Sequence, residues 1–213
     1  RLLREQHKFE APFDERFRDM MVSTVCHLME CGFNFVYGYT QSDEISLLLH
    51  PHDQVFGRKL RKLNSVLAGE ASAKFSLQLG DLASFDCRIS ELPTRQLVRD
   101  YFLWRQEDAS RNCLNAHCYW LLRSKGVSAL DATQQLKGNS FRKKHDFLFN
   151  NSINFNELPA WQRRGLGVYR KSITKVGVDP RNGETTETHR RKLNVDFELD
   201  MKTAYVDFIE SLY

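Results

Sequence analysis

Residues 33–49 decide the fold of this chain, and they read Phe-Asn-Phe-Val-Tyr-Gly-Tyr-Thr-Gln-Ser-Asp-Glu-Ile-Ser-Leu-Leu-Leu. Residues 33–39 are rich in aromatic side chains and residues 45–49 in aliphatic ones, a composition typical of β-strands. The polar residues between them are typical of a turn. The sequence therefore predicts a β-hairpin with an acidic turn, with Asp43 in the turn and Glu44 immediately ahead of the second strand.

Helical periodicity dominates on both sides of this hairpin. Apolar residues recur at helical spacing between Pro12 and Gly32 and predict an amphipathic helix over 12–31. Beyond the hairpin, periodicity and caps predict a helix over 54–79 capped by Asp53, a strand over 84–89, a helix over 95–124, a helix from Ser128 to Gly138, a hairpin of strands 168–176 and 184–195, and a closing helix over 200–212. Residues 139–159 are polar and rich in Asn, and carry no predicted element.

The order of elements up to residue 95 is α-β-β-α-β. A ferredoxin-like sheet needs β-α-β-β-α-β, so we expect a further strand ahead of Arg1 and interpret the sequence as truncated at its N-terminus. The expected fold class is α+β: a ferredoxin-like sheet lacking its first strand, long helices on one face, and a C-terminal helical and β-hairpin appendage. We expect residues 1–95 to form the sheet region and residues 96–213 to complete the site.

Length and composition exclude several classes of protein. The chain has 213 residues, 41% of them apolar, which is too apolar for a disordered tail and suits one domain with or without an appendage. Its five cysteines form no Cys-x-x-Cys pair, so we expect a reducing, cytoplasmic compartment. No apolar run approaches the ~18 residues of a membrane span, so we expect a soluble protein without a membrane partner.

Basic residues are clustered although the net charge is small. The 31 Lys and Arg against 27 Asp and Glu give +4, which alone does not establish a nucleic-acid partner. Five clusters nevertheless suit phosphate groups: residues 58–62, 142–144, 163–164, 170–171 and 190–192. For any single cluster, an ordinary solvated surface is the alternative.

The adjacent carboxylates at the hairpin turn are the sharpest chemical feature. Turns favour Asp for backbone reasons alone, which accounts for Asp43 but not for Glu44 ahead of an apolar strand. Nucleotide polymerases and cyclases hold Mg²⁺ on an acidic hairpin of a ferredoxin-like sheet. A two-metal site also needs a second carboxylate on an adjacent strand. We therefore interpret residues 1–95 as a palm-like catalytic region.

Several motifs, in order across almost the whole chain, resemble the tRNA(His) guanylyltransferases and their bacterial and archaeal relatives, which extend RNA in the 3′-to-5′ direction. The hairpin resembles the family's Tyr-Gly-x-Ser-Asp-Glu signature, with two extra residues between Gly38 and Ser42. Further matches are Phe-Glu-Ala-Pro-Phe-Asp at 9–14, Trp-Arg-Gln-Glu-Asp at 104–108 with Asn112, Lys144, and Ile-Asn-Phe-Asn-Glu-Leu-Pro-Ala-Trp-Gln-Arg-Arg-Gly at 153–165.

The resemblance implies a nucleotidyltransferase acting on the 5′ end of tRNA, with ATP and GTP as substrates and two Mg²⁺ ions as cofactors. It implies that Asp43 is a metal ligand, with its partner aspartate ahead of Arg1, and that Glu44 is its acidic neighbour in catalysis. It implies nucleotide or triphosphate contacts from Ser42, Lys59, Lys62, Arg105, Asp108 and Asn112, and RNA or phosphate contacts from Lys144 and Asn154. It also implies a homo-oligomer, a dimer or a tetramer.

The spacing of the implied nucleotide contacts is compatible with these roles. Lys59 and Lys62 are three residues apart and share one face of a predicted helix. Arg105, Asp108 and Asn112 recur at three and four residues and form a polar stripe, for which a plain solvent-facing surface is the alternative.

Three departures from the family pattern leave a second hypothesis open. Ser110 stands where the family commonly has His, Ala11 replaces a Lys, and His145 follows Lys144 where the family has an amide. The alternative is a catalytically inactive RNA-binding homologue; a nucleotide cyclase would explain the hairpin but not the later motifs. Without the expected first strand, we expect the chain as given to be inactive. Whether the product is guanylate on tRNA(His) or repair of 5′-truncated tRNA is left open.

Overall fold

The computed structural model describes residues 2–178, Arg181 and 185–212. Its helices are α1 Leu2–His7, α2 Glu15–Leu28, α3 Leu60–Leu79, α4 Arg95–Ser124, α5 Ala129–Leu136, α6 Phe141–Phe149, α7 Ala160–Arg164 and α8 Lys202–Ser211. Its strands are β1 Phe35–Gln41, β2 Glu44–Leu49, β3 Leu166–Val178 and β4 Thr185–Asp196, and short 3₁₀ turns occur at Val55–Arg58 and Phe155–Glu157. No helix in these described ranges is long and apolar enough to cross a membrane.

One antiparallel sheet in the order β2-β1-β3-β4 organises the molecule and confirms the predicted α+β class. The predicted hairpin is present as β1 and β2. The prediction of a separate C-terminal hairpin appendage is wrong, because β3 pairs with β1 from Tyr37–Tyr169 to Thr40–Leu166 and so joins the main sheet. The predicted second hairpin is confirmed as β3 and β4, although most of its turn lies outside the described residues.

Residues 84–89 differ from the predicted strand. They form no regular secondary structure and pair with no strand in the part of the chain that the structure describes. Phe85 and Cys87 instead pack against the apolar cluster beneath α2 and α3. Phe85 and Cys87 are alternate residues and both face the core, which produces the alternating sequence pattern of a β-strand. The segment nevertheless forms no hydrogen bonds with a neighbouring strand that the structure describes. The strand expected ahead of Arg1 lies outside the structure and stays a prediction.

Helices cover both faces of the sheet, which corrects the expectation of long helices on one face. On one face, α2 and α3 pack with Phe35 and Val168. On the other, α4 and α8 pack with Tyr37 and Tyr39 of β1. The physical reason is that β1 is buried on both sides, so each side needs an apolar partner. A Cβ at Gly38 would lie 2.5 Å from Val25 of α2, so this position requires glycine.

The remaining helices mostly match their predictions. The helices at 95–124 and 200–212 are confirmed, as is the cap of α5 by Ser128. Asp53 does not cap α3; its carboxylate accepts from the backbone N–H groups of Asn34 and Val55, and α3 begins only at Leu60. Helices α1, α6 and α7 are short and were not predicted. The sequence around α6 is polar, so it shows no clear apolar period from which a helix could be predicted.

Candidate active site at the hairpin turn

The hairpin turn places one free carboxylate at the edge of the sheet. Gln41 pairs with Glu44 in the β1–β2 ladder, so Ser42 and Asp43 form the turn. Ser42 has φ +53°, a left-handed conformation typical of tight hairpin turns. The Asp43 side chain is exposed and makes no hydrogen bond or ion pair with any residue that the structure describes. It is therefore available to a ligand.

Two cavities meet at this turn. The first, of about 220 Å³, is lined mainly by aromatic and apolar residues, with Arg18 and acidic residues among them: Phe9, Glu10, Pro12, Phe13, Asp14, Phe17, Arg18, Met21, Thr40, Trp161 and Leu166. The second, of about 290 Å³, lies between the turn and α4 and includes Glu44, Asp108, Asn112 and Ala116. Pro12, Phe13 and residues 41–43 border both cavities. Asp43 thus lies between an aromatic cavity and a polar one.

Glu44 is held by an ion pair. The Arg105 guanidinium donates from Nη2 to Glu44 Oε2, and the Arg105 side chain is only 9% exposed. The same guanidinium lies over the ring of Trp104, 5.1 Å from its centre. Of the two predicted acidic residues, only Asp43 is therefore unengaged. The structure places Arg105 beside Glu44 and not on the wall of either cavity; its predicted nucleotide contact stays a prediction.

Asp14 forms part of the wall of the aromatic cavity and caps α2. Its carboxylate accepts from the backbone N–H of Arg16 at 2.8 Å and from the Arg16 guanidinium at 2.7 Å. The guanidinium beside it lowers the pKa of Asp14 from 3.8 to about 2. Asp14 is therefore ionised at neutral pH, and the ion pair with Arg16 offsets its charge.

Tyr39 and Gly165 fix the hairpin against α7. The Tyr39 hydroxyl donates to the carbonyl of Arg164 at 2.9 Å, and burial raises the pKa of this hydroxyl well above its usual range. Gly165 has φ +76° and ψ −167°, and a Cβ there would lie 2.4 Å from the Tyr39 hydroxyl oxygen. This contact positions the chain beside Trp161 and Leu166 of the aromatic cavity.

The polar stripe of α4 reaches the second cavity. Asp108 and Asn112 both line it, and the Asn112 amide donates to the Asp108 carboxylate at 3.0 Å. Lys144 lies outside the cavity linings and donates to Asn115 of α4 at 2.8 Å. Asn154 caps the second 3₁₀ turn and donates to Glu157, so the structure gives it a local role. The predicted phosphate contacts of Lys144 and Asn154 stay predictions.

Lys59 and Lys62 lie near the opposite end of the hairpin. Lys62 Nζ is 5.6 Å from the centre of the Phe56 ring, which in turn contacts the ring of Phe33 just before β1. At about 3.3 Å per residue, strand β2 separates this end from the turn by roughly 20 Å. The structure does not bring either lysine to the cavities beside Asp43, so their role on the triphosphate stays a prediction.

Sequence reasoning left several wall residues unassigned. Phe13, Asp14 and Trp161 lie in stretches that carry the family resemblance, but no ligand-binding role follows from their spacing. Gln41 immediately precedes the predicted turn and borders both cavities. Its position next to Ser42 is the only feature of the sequence that could have indicated a role for Gln41 at the site.

The residues at the turn suit a Mg²⁺ ion bound together with a phosphate ligand. No three His, Cys, Asp or Glu side chains converge on one point within the described ranges. Mg²⁺, however, is usually bound through one or two carboxylates plus substrate phosphates. Asp43, exposed and unengaged at the rim of both cavities, suits this mode, whereas Glu44 is engaged by Arg105.

Comparisons with known proteins identify the family of this chain. Residues 1–93 match the family model described as tRNAHis guanylyltransferase, and residues 96–210 match the model described as Thg1 C terminal domain. The chain belongs to the tRNA(His) guanylyltransferase family. Among curated members of the family, tRNA(His) guanylyltransferase 2 of Arabidopsis thaliana is 31% identical over 85% of this chain and 36% of its own length. The Debaryomyces hansenii tRNA(His) guanylyltransferase is 30% identical over 92% of this chain and 81% of its own length.

Solved structures of the same family share the fold. A bacterial tRNA(His) guanylyltransferase (Thg1)-like protein in complex with ATP superposes with a TM-score of 0.72, at 28% identity, covering 96% of this chain and 82% of that one. The same kind of protein in complex with GTP gives 0.70, at 27% identity. The chain spans about a third of the length of the Arabidopsis family members it matches.

Proposed function

We propose that this protein is a Mg²⁺-dependent nucleotidyltransferase that adds nucleotides to the 5′ end of tRNA in the 3′-to-5′ direction. The observation that carries the proposal is the exposed, unengaged carboxylate of Asp43 at the shared rim of an aromatic cavity and a polar cavity. The names of its family members, and the ATP and GTP complexes of its structural relatives, support the choice of substrates.

Two phosphoryl-transfer steps make up the proposed reaction. A 5′-monophosphate oxygen of tRNA attacks the α-phosphate of ATP, forming an adenylated 5′ end and releasing pyrophosphate. The 3′-hydroxyl of GTP then attacks the activated 5′ phosphorus, so AMP leaves as the new phosphodiester forms and the hydroxyl proton passes to solvent. Bound Mg²⁺ supplies charge neutralisation in such transfers.

The chain's own residues position the reactants. Asp43 would hold Mg²⁺ together with the nucleotide phosphates at the turn, where Ser42 is its neighbour. Phe13 and Trp161 offer aromatic surface to a nucleobase in the aromatic cavity, where their rings are 5.7 Å apart and nearly perpendicular and the Arg18 guanidinium lies over the Trp161 ring. The Glu44–Arg105 ion pair keeps the turn in place from the α4 side. Positioning and electrostatics account for most catalysis in reactions of this class.

The activity test uses the full-length protein with a 5′-monophosphorylated tRNA, ATP, Mg²⁺ and labelled GTP. We expect label at the tRNA 5′ end, lost when Asp43 is replaced by Ala. No label while tRNA is still bound would reject the enzyme in favour of the inactive RNA-binding homologue. Comparing tRNA(His) with 5′-truncated tRNAs as substrates separates guanylate addition from repair.

The lysines at the start of α3 have their own test. Replacing Lys59 and Lys62 together by Ala raises the nucleotide KM far more than it weakens tRNA binding if both contact the triphosphate. Equal losses place them on RNA. An unchanged nucleotide KM removes them from the nucleotide site, which is what their distance from the turn favours within one copy of the chain.

Assembly, compartment and domain division complete the proposal. The protein is proposed to form a homo-oligomer, either a dimer or a tetramer. Light scattering of the purified protein measures its molar mass and so tests this. A cytoplasmic location is supported by five cysteines that all remain free thiols. The division into a catalytic region over 1–95 and a completing region over 96–213 is supported by cavity walls drawn from both parts.

A further inference from the structure

One buried polar side chain at the turn has no protein partner. The structure describes seven buried polar or charged residues: Asp14, Thr24, Thr40, Gln41, Ser46, Arg105 and Gln106. Six of them form side-chain hydrogen bonds with other residues. Gln41 is 6% exposed, and its amide forms no hydrogen bond with any described residue. Its amide atoms are not among the fully buried side-chain atoms that lack a partner, so the amide stays accessible from the cavities and is free to bind a ligand.

The position of Gln41 brings its amide to the candidate site. It borders both cavities and immediately precedes Ser42 and Asp43. Phe13, an aromatic residue, also borders both cavities. A ligand that fills these cavities beside Phe13 and Asp43 therefore also borders Gln41.

We infer that Gln41 is a substrate-binding residue that hydrogen-bonds the purine base of the bound nucleotide. This inference rests on the proposed nucleotide-binding function. An amide presents one acceptor oxygen and a donor NH₂ group side by side. A phosphate has only acceptors and would leave the amide oxygen unsatisfied, whereas a base edge offers a donor and an acceptor together.

The amide also explains how one site accepts two purines. Adenine presents an N6 amino donor beside an N1 acceptor, and guanine presents an O6 acceptor beside an N1–H donor. Rotation of the Gln41 amide by half a turn exchanges its oxygen and nitrogen, so it complements either edge. Gln41 thereby contacts either purine base without choosing between adenine and guanine.

Gln41→Met and Gln106→Met form a matched pair of variants. Both glutamines are buried, but the Gln106 amide donates to the carbonyl of Asp200 at 2.8 Å and lines neither cavity. We expect Gln41→Met to weaken binding of both Mg·ATP and Mg·GTP about three- to tenfold, with no loss of thermal stability, because no protein partner is lost. Gln106→Met lowers thermal stability and leaves nucleotide binding unchanged.

Gln41→Glu separates a base contact from a ribose contact. At pH 8 an ionised carboxylate only accepts hydrogen bonds, so it pairs with the N1–H and N2 amino donors of guanine and repels the N1 acceptor of adenine. We expect the ratio of GTP to ATP affinity to rise at least about fivefold. Repulsion between the new charge and the triphosphate cancels in this ratio.

Binding is measured by calorimetry on the full-length protein. Wild-type affinity for both nucleotides in Gln41→Met overturns the inference. An unchanged GTP-to-ATP ratio in Gln41→Glu overturns the base contact, since a ribose contact affects both nucleotides alike. Failure of the wild-type protein to bind either nucleotide instead overturns the proposed function, so the two failures are distinguishable.

Discussion

Replacing Gly165 by Ala tests how the hairpin is anchored. Gly165 ends α7 with φ +76° and ψ −167°, a backbone region that is essentially confined to glycine. A Cβ there would lie 2.4 Å from the Tyr39 hydroxyl oxygen and 2.7 Å from its Cε2 atom. Tyr39 is 1% exposed, so its ring has no room to move aside without shifting β1 or α4.

The expected cost combines three effects. Backbone strain at such a residue costs about 1–3 kcal/mol. Overpacking against a buried ring adds about 1–3 kcal/mol. Losing the bond from Tyr39 to the carbonyl of Arg164 adds about 1 kcal/mol. We expect Gly165→Ala to lower the free energy of unfolding by about 3–7 kcal/mol, which for a chain of this size lowers the Tm by roughly 10–20 °C.

Gly80→Ala is the matched control for this change. Gly80 also follows a helix and has a left-handed conformation, φ +72° and ψ +17°, but no atom lies within 4 Å of an added Cβ. We expect a loss of only about 1 kcal/mol. Both variants are compared by thermal and urea unfolding followed by circular dichroism. A loss in Gly165→Ala no greater than that in Gly80→Ala would refute the reasoning about Tyr39.

Three further predictions concern single side chains. Asp43→Ala abolishes nucleotide addition but changes the free energy of unfolding by less than about 0.5 kcal/mol, because the side chain is exposed and unpartnered; an unfolded or active variant contradicts the assignment. The pKa of Asp14 is about 2 in the folded protein, below the ~3.9 of an unfolded chain, so its stabilisation is complete above about pH 4 and is lost as pH falls towards 2. Urea midpoints between pH 5 and 2 should fall less steeply in Asp14→Asn, and equal slopes would argue against the ion pair with Arg16. Burial raises the pKa of Cys113 to about 12 and of Cys118 to about 11, so a thiol reagent at pH 8 labels them only as fast as the protein unfolds; mass spectrometry of native samples checks this.

The elements that the sequence predicted well carry local signals. The hairpin, α4 and the β3–β4 pair each have a complete pattern of apolar period, turn or cap within their own residues. The segment 84–89 shows the limit of this reasoning. Its alternate residues Phe85 and Cys87 face the core, as the alternating pattern predicts. A β-strand also needs a neighbouring strand to pair with, and an alternating pattern of apolar residues does not show whether one is present.

The candidate site divides in the same way. Asp43 could be placed at an acidic turn from its flanking residues alone. The ion pair between Glu44 and Arg105 could not be predicted from the sequence. The two residues are 61 positions apart and meet only when α4 packs against the sheet. Gln41 is similar, since nothing in its sequence context distinguishes an amide with a protein partner from one without.

The sequence by itself determined the hairpin, the position of its acidic turn and the family to which its motifs point, because each depends on residues close together along the chain. Only the tertiary structure decided which carboxylate is free, which amide is unpartnered, and that Lys59 and Lys62 lie away from the turn. Those outcomes depend on the packing of α4, α7 and the N-terminal residues around the end of β1. Contacts between distant segments are set by how the whole core packs, and no local pattern encodes them.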